Sequence, residues 1–313
     1  AMTYKDYKIF NLLERRPQVL LFGNGIVRND NEDMRWERLI QSIARDGIDV
    51  SEYRDVPYTI QATAVADMGD TKRHQKYEDK LTKAAYRKNS LVNALLTVPF
   101  DAILSTNYTY ELEYHMLSQY PELSKHAKLK YSHWTIDKRD SKYLIHGFNR
   151  LKKDGVAQDI WHIHGETRRP TSLILTHDEY ARLISRILLY NKERKKDYLD
   201  YENEMHFKSW IDYFILGDLY ILGQGLDFSE FDLWWLLNRR LRENNVETGK
   251  VIFYEPKTKR AETKTSVLKA LDVECEHCGI TIEPNCLKAD AFYKDFYIRA
   301  ISDIRRRMSD RKV

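Results

Sequence analysis

The chain is expected to fold as an α/β protein, a Rossmann-like doubly wound parallel sheet carrying an inserted helical subdomain, and three observations lead there. Short apolar runs alternate with longer segments of helical periodicity, and parallel strands need crossover connections that helices normally supply. Three of those runs, Leu20-Leu21-Phe22, Leu104-Ser105 and Trp161-His162-Ile163, run out into turns carrying glycine, an amide or an imidazole, where open α/β sheets place their ligand chemistry. No repeat of 20 to 50 residues and no low-complexity linker divides the 313 residues, so residues 1–313 read as a single domain.

The elements follow in order. Residues 18–22 form a β-rich run, and after a glycine loop the apolar positions Trp36, Leu39, Ile40 and Ile43 predict a helix over 34–44. From about 51 to 96 the character is helical, broken at Pro57 and at Met68-Gly69-Asp70, which marks a first helical insertion. Strand chemistry returns at 100–105. A helix over 109–119 ends before Pro121, as the restricted residue ahead of a proline requires. Residues 159–163 and 172–175 read as sheet strands. Thr176-His177-Asp178-Glu179 is a capping-box pattern opening a long helix whose apolar face is Tyr180, Leu183, Ile184, Ile187 and Leu188. That helix begins a second helical insertion, about 180–214, and 219–222 and 251–254 complete the parallel strands.

Composition narrows the function classes. A hydrophobic content of 42% with 31% charged residues is that of an ordinary folded protein with solvated helices. No run of about eighteen apolar residues and no secretory pattern is present, so a cytoplasmic home and no membrane partner are expected. The formal charge of +4 is small. Its excess sits largely in Arg305-Arg306-Arg307 and Arg311-Lys312, which reads as a solvated helix face rather than a nucleic-acid footprint. The three cysteines, Cys275, Cys278 and Cys286, do not make a disulfide framework. With His277 they could be drawn as a zinc site, but a structural site wants two separated ligand pairs, so no metal is expected.

The candidate site residues lie at the strand ends. Gly23 and Gly25 flank Asn24 in a loop that would let backbone N–H groups approach a pyrophosphate ahead of a helix N-terminus, although any tight turn after a strand uses such glycines. Thr106-Asn107 follows the second strand. A carboxamide there holds a water or a ribose hydroxyl with both a donor and an acceptor, or else caps a helix. His164, before Gly165, has the ordinary imidazole pKa for accepting a proton at cellular pH, or is a strand-end histidine bonded to backbone. His146-Gly147 is a competing pair, and His162 lies on the same strand as a neighbour of the site. Gly223 and Gly225 open another strand-to-helix turn, where Asp227 either contacts a ribose or caps the helix with Ser229. Trp234 and Trp235 face different directions and suit core packing or an oligomer contact.

Taken in this order, Gly23-Asn24-Gly25, Thr106-Asn107, His164-Gly165 and Gly223-Gln224-Gly225-Leu226-Asp227 resemble the sirtuin-like family, in particular its bacterial NAD-hydrolysing, antiphage-defence branch. The resemblance spans most of the chain, and Trp36 matches a tryptophan common in the family's first helix. It implies that Asn107 and His164 are catalytic, and that Gly23, Asn24, Gly25, Thr106, Gly223, Gly225 and Asp227 bind the dinucleotide. Three departures stand out. Asn24 replaces a small residue between the first glycines, Thr109 replaces an acid two positions after Asn107, and Gly225 stands where the family has serine. No cysteine lies between the His-Gly turn and the late glycine loop, where the zinc-bearing protein deacylases carry their four-cysteine module.

The resemblance thus implies a zinc-independent NAD glycohydrolase, with NAD consumed as substrate, acting in abortive infection by depleting NAD. Such an activity needs control, so a homo-oligomer or a separate regulatory or sensor protein is the expected partner. The alternative is a non-catalytic module that senses NAD or ADP-ribose and acts by oligomerising. The activating trigger and the choice between NAD and NADP are not read from these residues.

Overall fold

The computed structural model describes residues 8–29, 35–66, 89–119, 149–153, 156–167, 170–200, 204–259 and 261–310. A two-stranded antiparallel ribbon joins β1 (Lys8–Phe10) to the later β6 (Met205–Phe207). The main sheet contains β2 (Gln18–Phe22), β3 (Ala102–Ser105), β4 (Asn149–Lys153), β5 (Val156–His162), β7 (Asp218–Leu222), β8 (Val251–Tyr254) and β9 (Val273–Glu276). Its order is β4-β5-β3-β2-β7-β8-β9. Six of these strands are parallel, and β4 is added antiparallel at the edge beside β5. Counted along the chain, the parallel strands run 3-2-1-4-5-6, the doubly wound order, with its switch point between β2 and β7.

Register places the strand ends on one line. Phe22 pairs with Ser105 on one side and Leu222 on the other, Ser105 with His162, and Leu222 with Tyr254. The turns that follow these residues therefore emerge together at the C-terminal ends of the strands, which is why segments far apart in the chain meet.

Strands buried on both faces read as continuous apolar runs, and alternate residues feed two cores. Leu20, Phe22, Ile103, Tyr220 and Leu222 face one core, while Val19, Leu21, Leu104, Trp161 and Ile221 face the other. The first core is covered by α2 (Trp36–Ile43), α3 (Tyr58–Val65), α4 (Ser90–Leu96), α5 (Glu111–Gln119) and the last helix, α10 (Ala289–Asp310). A single turn, α1 (Gly25–Arg28), also packs there through Ile26 and Val27. The second core is covered by α6 (His177–Leu199), α7 (Trp210–Leu216), α8 (Phe231–Leu241) and Leu268 of α9 (Ala261–Ala270).

Several sequence expectations are corrected. Residues 172–175 are not a sheet strand: Pro170–Ser172 form a 3-10 turn, and Leu173 to Leu175 are buried outside any strand. β5 is already paired on both sides, by β3 and β4, so no edge is open to this segment. The second insertion is not wholly helical, because β6 lies between α6 and α7. Leu188, expected on the apolar face of α6, is 47% exposed. The first insertion contributes α3 and α4, whereas residues 67–88, including the Met68-Gly69-Asp70 break, lie outside the described residues, as does His146-Gly147.

The capping box opens α6 as read, Thr176 and Glu179 exchanging both bonds. On the C-terminal helix Arg305 and Arg306 are exposed, Arg307 reaches Asp303 and Glu274, each at 2.6 Å, and Arg305 bonds Thr97 and the Ala94 carbonyl, while Arg311 and Lys312 lie outside the described residues. No described helix is long and apolar enough to cross a membrane.

Candidate active site

At the switch point the two glycine loops touch each other. Gly23 N–H donates to the Leu222 carbonyl at 3.0 Å and Gly25 N–H to the Gly223 carbonyl at 2.7 Å. A Cβ on Gly25 would lie 2.5 Å from the Tyr297 hydroxyl and 2.8 Å from the Gly223 carbonyl oxygen. Glycine is required here for loop-to-loop approach, and the two amides expected to meet a pyrophosphate are already engaged by the late loop.

Above these loops lies a cleft enclosing about 980 Å³ of empty space, its open mouth included. Of the nine residues singled out from sequence, eight line it: Asn24, Gly25, Thr106, Asn107, His164, Gly223, Gly225 and Asp227. Gly23 is the exception. It sits beneath Gln224, whose side-chain oxygen occupies the place a Cβ would need. Trp234 and Trp235 are half-buried and do not line the cleft; Trp234 stacks on Phe228 and donates its indole N–H to the Asp227 carbonyl.

Asn107 is buried and is not a helix cap. Its side-chain NH2 donates to Glu111 Oε1, and Thr109 Oγ1 donates to Glu111 Oε2 at 2.6 Å. The Glu111 carboxylate thus lies two positions after Thr109 and is held by both side chains. It also fixes the amide: a carboxylate accepts, so the NH2 turns toward Glu111 and Oδ1 remains the free acceptor of the pair. Burial pushes the Glu111 carboxyl above its usual range, with the bonds from Thr109 and Asn107 acting against that rise. The backbone of Asn107 is held as well, since its carbonyl lies 2.9 Å from His162 Nδ1. His162 Nε2 in turn meets Glu113 at 2.7 Å. Burial opposes the charge on His162, but Glu113 outweighs it and holds the imidazole up to about 9.

His164 sits where β5 ends, in a turn completed by Gly165. That glycine has φ +88°, and a Cβ would collide with the Ser172 carbonyl, so the His-Gly turn is locked against 172–175. His164 Nε2 lies 2.8 Å from Asp232 Oδ2, and Nδ1 is 3.5 Å from the Tyr180 hydroxyl. Asp232 is fully buried in the first turn of α8, its Oδ1 without a partner among the described residues. Burial favours neutral His164, yet the facing Asp232 carboxylate overcomes it, so the protonated imidazole is favoured above the ordinary histidine range. A carboxylate accepts, so the Nε2 proton of His164 points at Asp232 and the pair fixes the orientation of the ring.

On the other wall Thr106 and Asp227 were read from the sequence, whereas the roles of Gln224 and Glu230 were not. Thr106 Oγ1 donates to Gln224 Oε1 at 2.9 Å, and Gln224 Nε2 donates to Glu230 Oε1. Glu230 Oε2 accepts from Asp227 N–H at 3.0 Å, and burial pushes its carboxyl up to about 7, with His164 acting in the opposite direction. Asp227 Oδ1 accepts from both the backbone and hydroxyl of Ser229, the turn-forming alternative noted above. Trp36 and Tyr58, in T-shaped contact at 5.5 Å, and Arg28 complete the cleft. Arg28 is the lone lysine or arginine among the described lining residues and offers a charge for an anionic ligand. The four-residue spacing from Asn107 to Glu111 was a possible signal. Glu230, Asp232 and Arg28 carried none, because their roles come from where helix ends meet strand ends.

Fold and cleft together define a Rossmann-like α/β protein with a cleft at the switch point of the sheet. Among the described residues no group of three or more His, Cys, Asp or Glu side chains is placed to hold a metal ion. Comparison with protein-family models and with curated proteins returns no match.

Proposed function

We propose that this protein is a zinc-independent NAD glycohydrolase that cleaves the nicotinamide–ribose bond to give nicotinamide and ADP-ribose. The observation that carries the reading is the convergence of Asn107, His164 and both glycine loops on one cleft at the switch point. Pyridinium nicotinamide is already a good leaving group, so the site needs mainly to hold the dinucleotide, stabilise positive charge on the ribose and admit one water. Asn107 Oδ1 would position that water or a ribose hydroxyl. His164, paired to Asp232, would orient the ribose. Arg28 would hold the pyrophosphate, and the Trp36–Tyr58 pair would cover the base.

The biological role we infer is abortive-infection defence in the cytoplasm, controlled by homo-oligomerisation or by a separate sensor protein. It rests on the sirtuin-like resemblance. A second reading, a non-catalytic NAD or ADP-ribose sensor, is favoured by one observation: the Gly23 and Gly25 amides are occupied by the neighbouring loop.

Chromatographic measurement of NAD loss over a range of protein concentrations separates the two. The expected result is free ADP-ribose without any acylated peptide, falling at least about 10²-fold in Asn107→Ala and His164→Ala. Binding of ADP-ribose without turnover would instead establish the sensor, and an O-acyl ester formed only with acylated peptide would indicate deacylation.

A further inference from the structure

The water that adds to the ribose gives up a proton, and the family resemblance points to the histidine as the group that takes it. The geometry of this chain points elsewhere. His164 has one ring nitrogen committed to Asp232 at 2.8 Å and the other facing the Tyr180 hydroxyl. The phenols that line the cleft, Tyr58, Tyr108 and Tyr180, are driven by burial above their ordinary range and hold their protons. Asp227 is exposed and folded back onto Ser229. Glu111 and Asp232 are fully buried and do not line the cleft.

We propose that Glu230, and not His164, is the general base of this site. The inference rests on the reading of the cleft as an NAD-hydrolysing site. Glu230 lines the cleft at the N-cap of α8, held in place by Gln224 Nε2 on one oxygen and Asp227 N–H on the other. A carboxylate has about four lone-pair positions, so two remain for a water. It sits in the same corner as the histidine, since its charge is felt by His164 after β5, by Tyr108 after β3 and by Tyr180 on α6.

The step balances without any further reactant. The C1′–N1 bond breaks and its electron pair neutralises the nicotinamide ring. The water oxygen bonds to C1′, and the water proton passes to the Glu230 carboxylate, which releases it to solvent. Before that transfer the same negative charge faces the oxocarbenium-like ribose, a second contribution from one side chain. The groups that set its protonation are His164, Asp232, Asp227 and Gln224, with Tyr108 and Tyr180 on the neighbouring elements and Arg28 lining the same cleft from α1. Half-buried among them, the carboxyl is raised to about 7, close to the operating pH, where a general base is most effective.

The test uses the full chain. Initial rates of NAD hydrolysis are measured from about pH 5.5 to about pH 9 for wild type, Glu230→Gln and His164→Ala, with formate added to Glu230→Ala. The expected wild-type kcat/KM rises with pH through a single limb near 7. In Glu230→Gln that limb disappears and kcat falls about 10²-fold with KM changed less than about threefold, while His164→Ala keeps the limb at a reduced rate. Formate restores part of the rate of Glu230→Ala. A flat wild-type profile overturns the proposal whether or not any variant folds. Wild-type NAD hydrolysis with a Glu230→Gln rate within about threefold overturns it too, and leaves the NAD reading standing. Complete absence of NAD loss in wild type at every concentration overturns the NAD reading and this inference with it.

Discussion

A histidine held between a buried carboxylate and a phenol behaves differently from one at the end of an ordinary strand. Asp232 is 0% exposed and meets His164 through Oδ2 at 2.8 Å, so its charge acts on the imidazole at short range. Replacing it by asparagine keeps the shape and removes the charge. The expected outcome for Asp232→Asn is a His164 titration midpoint, followed by NMR of the ring protons, that drops below its wild-type position toward or under the ordinary histidine value. An unchanged midpoint would show that the pair does not set the protonation of His164. At this scale the sequence marked Asn107 and His164 because amides and imidazoles after apolar strands are visible as such. It did not mark Glu111, Asp232 or Glu230, since an acid in a helix's first turn is common and nothing local distinguishes a solvated one from one buried against a histidine.

The turns and helices around the site owe their shape to close approach more than to propensity. Gly165 combines a left-handed φ with a backbone neighbour where a Cβ would stand. Gly165→Ala is expected to destabilise the fold by at least about 2 kcal/mol, read as a lowered denaturation midpoint, because both the backbone conformation and the packing resist the new methyl. Unaltered stability would mean that the segment carrying Ser172 can move aside. The same contact explains a misreading. Leu173-Ile174-Leu175 has the composition of a strand and is buried like one, yet both edges of β5 are taken, so the segment instead packs beneath the His-Gly turn, with Ile174 N–H bonded to the His164 carbonyl at 2.9 Å. Periodicity reported burial correctly there and could not report pairing. The long α6 was legible to its first residue, since its capping box is a local device.

For the molecule as a whole, buried charge at the sheet's edge makes stability depend on pH. His162 binds its proton up to about 9 when folded, against about 6.5 for an unperturbed histidine in the unfolded chain. Between those values the native state holds more protons than the unfolded state, so this contribution is complete below the unfolded value and is lost as pH rises through the folded one. Urea denaturation should accordingly show stability declining from about pH 7 to about pH 9.5, on the order of 1 kcal/mol per pH unit at most, with a shallower decline in His162→Gln. Equal slopes in the two proteins would place the titration elsewhere. The position of this histidine matters to the site, because its other nitrogen faces the carbonyl of Asn107.

What the sequence determined by itself was the alternation of apolar strands and helices, hence a parallel sheet wound on both faces, and the amide, imidazole and glycine turns at its strand ends. Those are local properties: apolar runs, caps and turn residues act over a few positions of chain. The tertiary structure decided the rest, namely the 3-2-1-4-5-6 order, the contact of one glycine loop with the other, and the carboxylates that hold Asn107 and His164. Register brings these groups together from across the chain, and the charge each one carries depends on neighbours and burial that exist only once the sheet has formed.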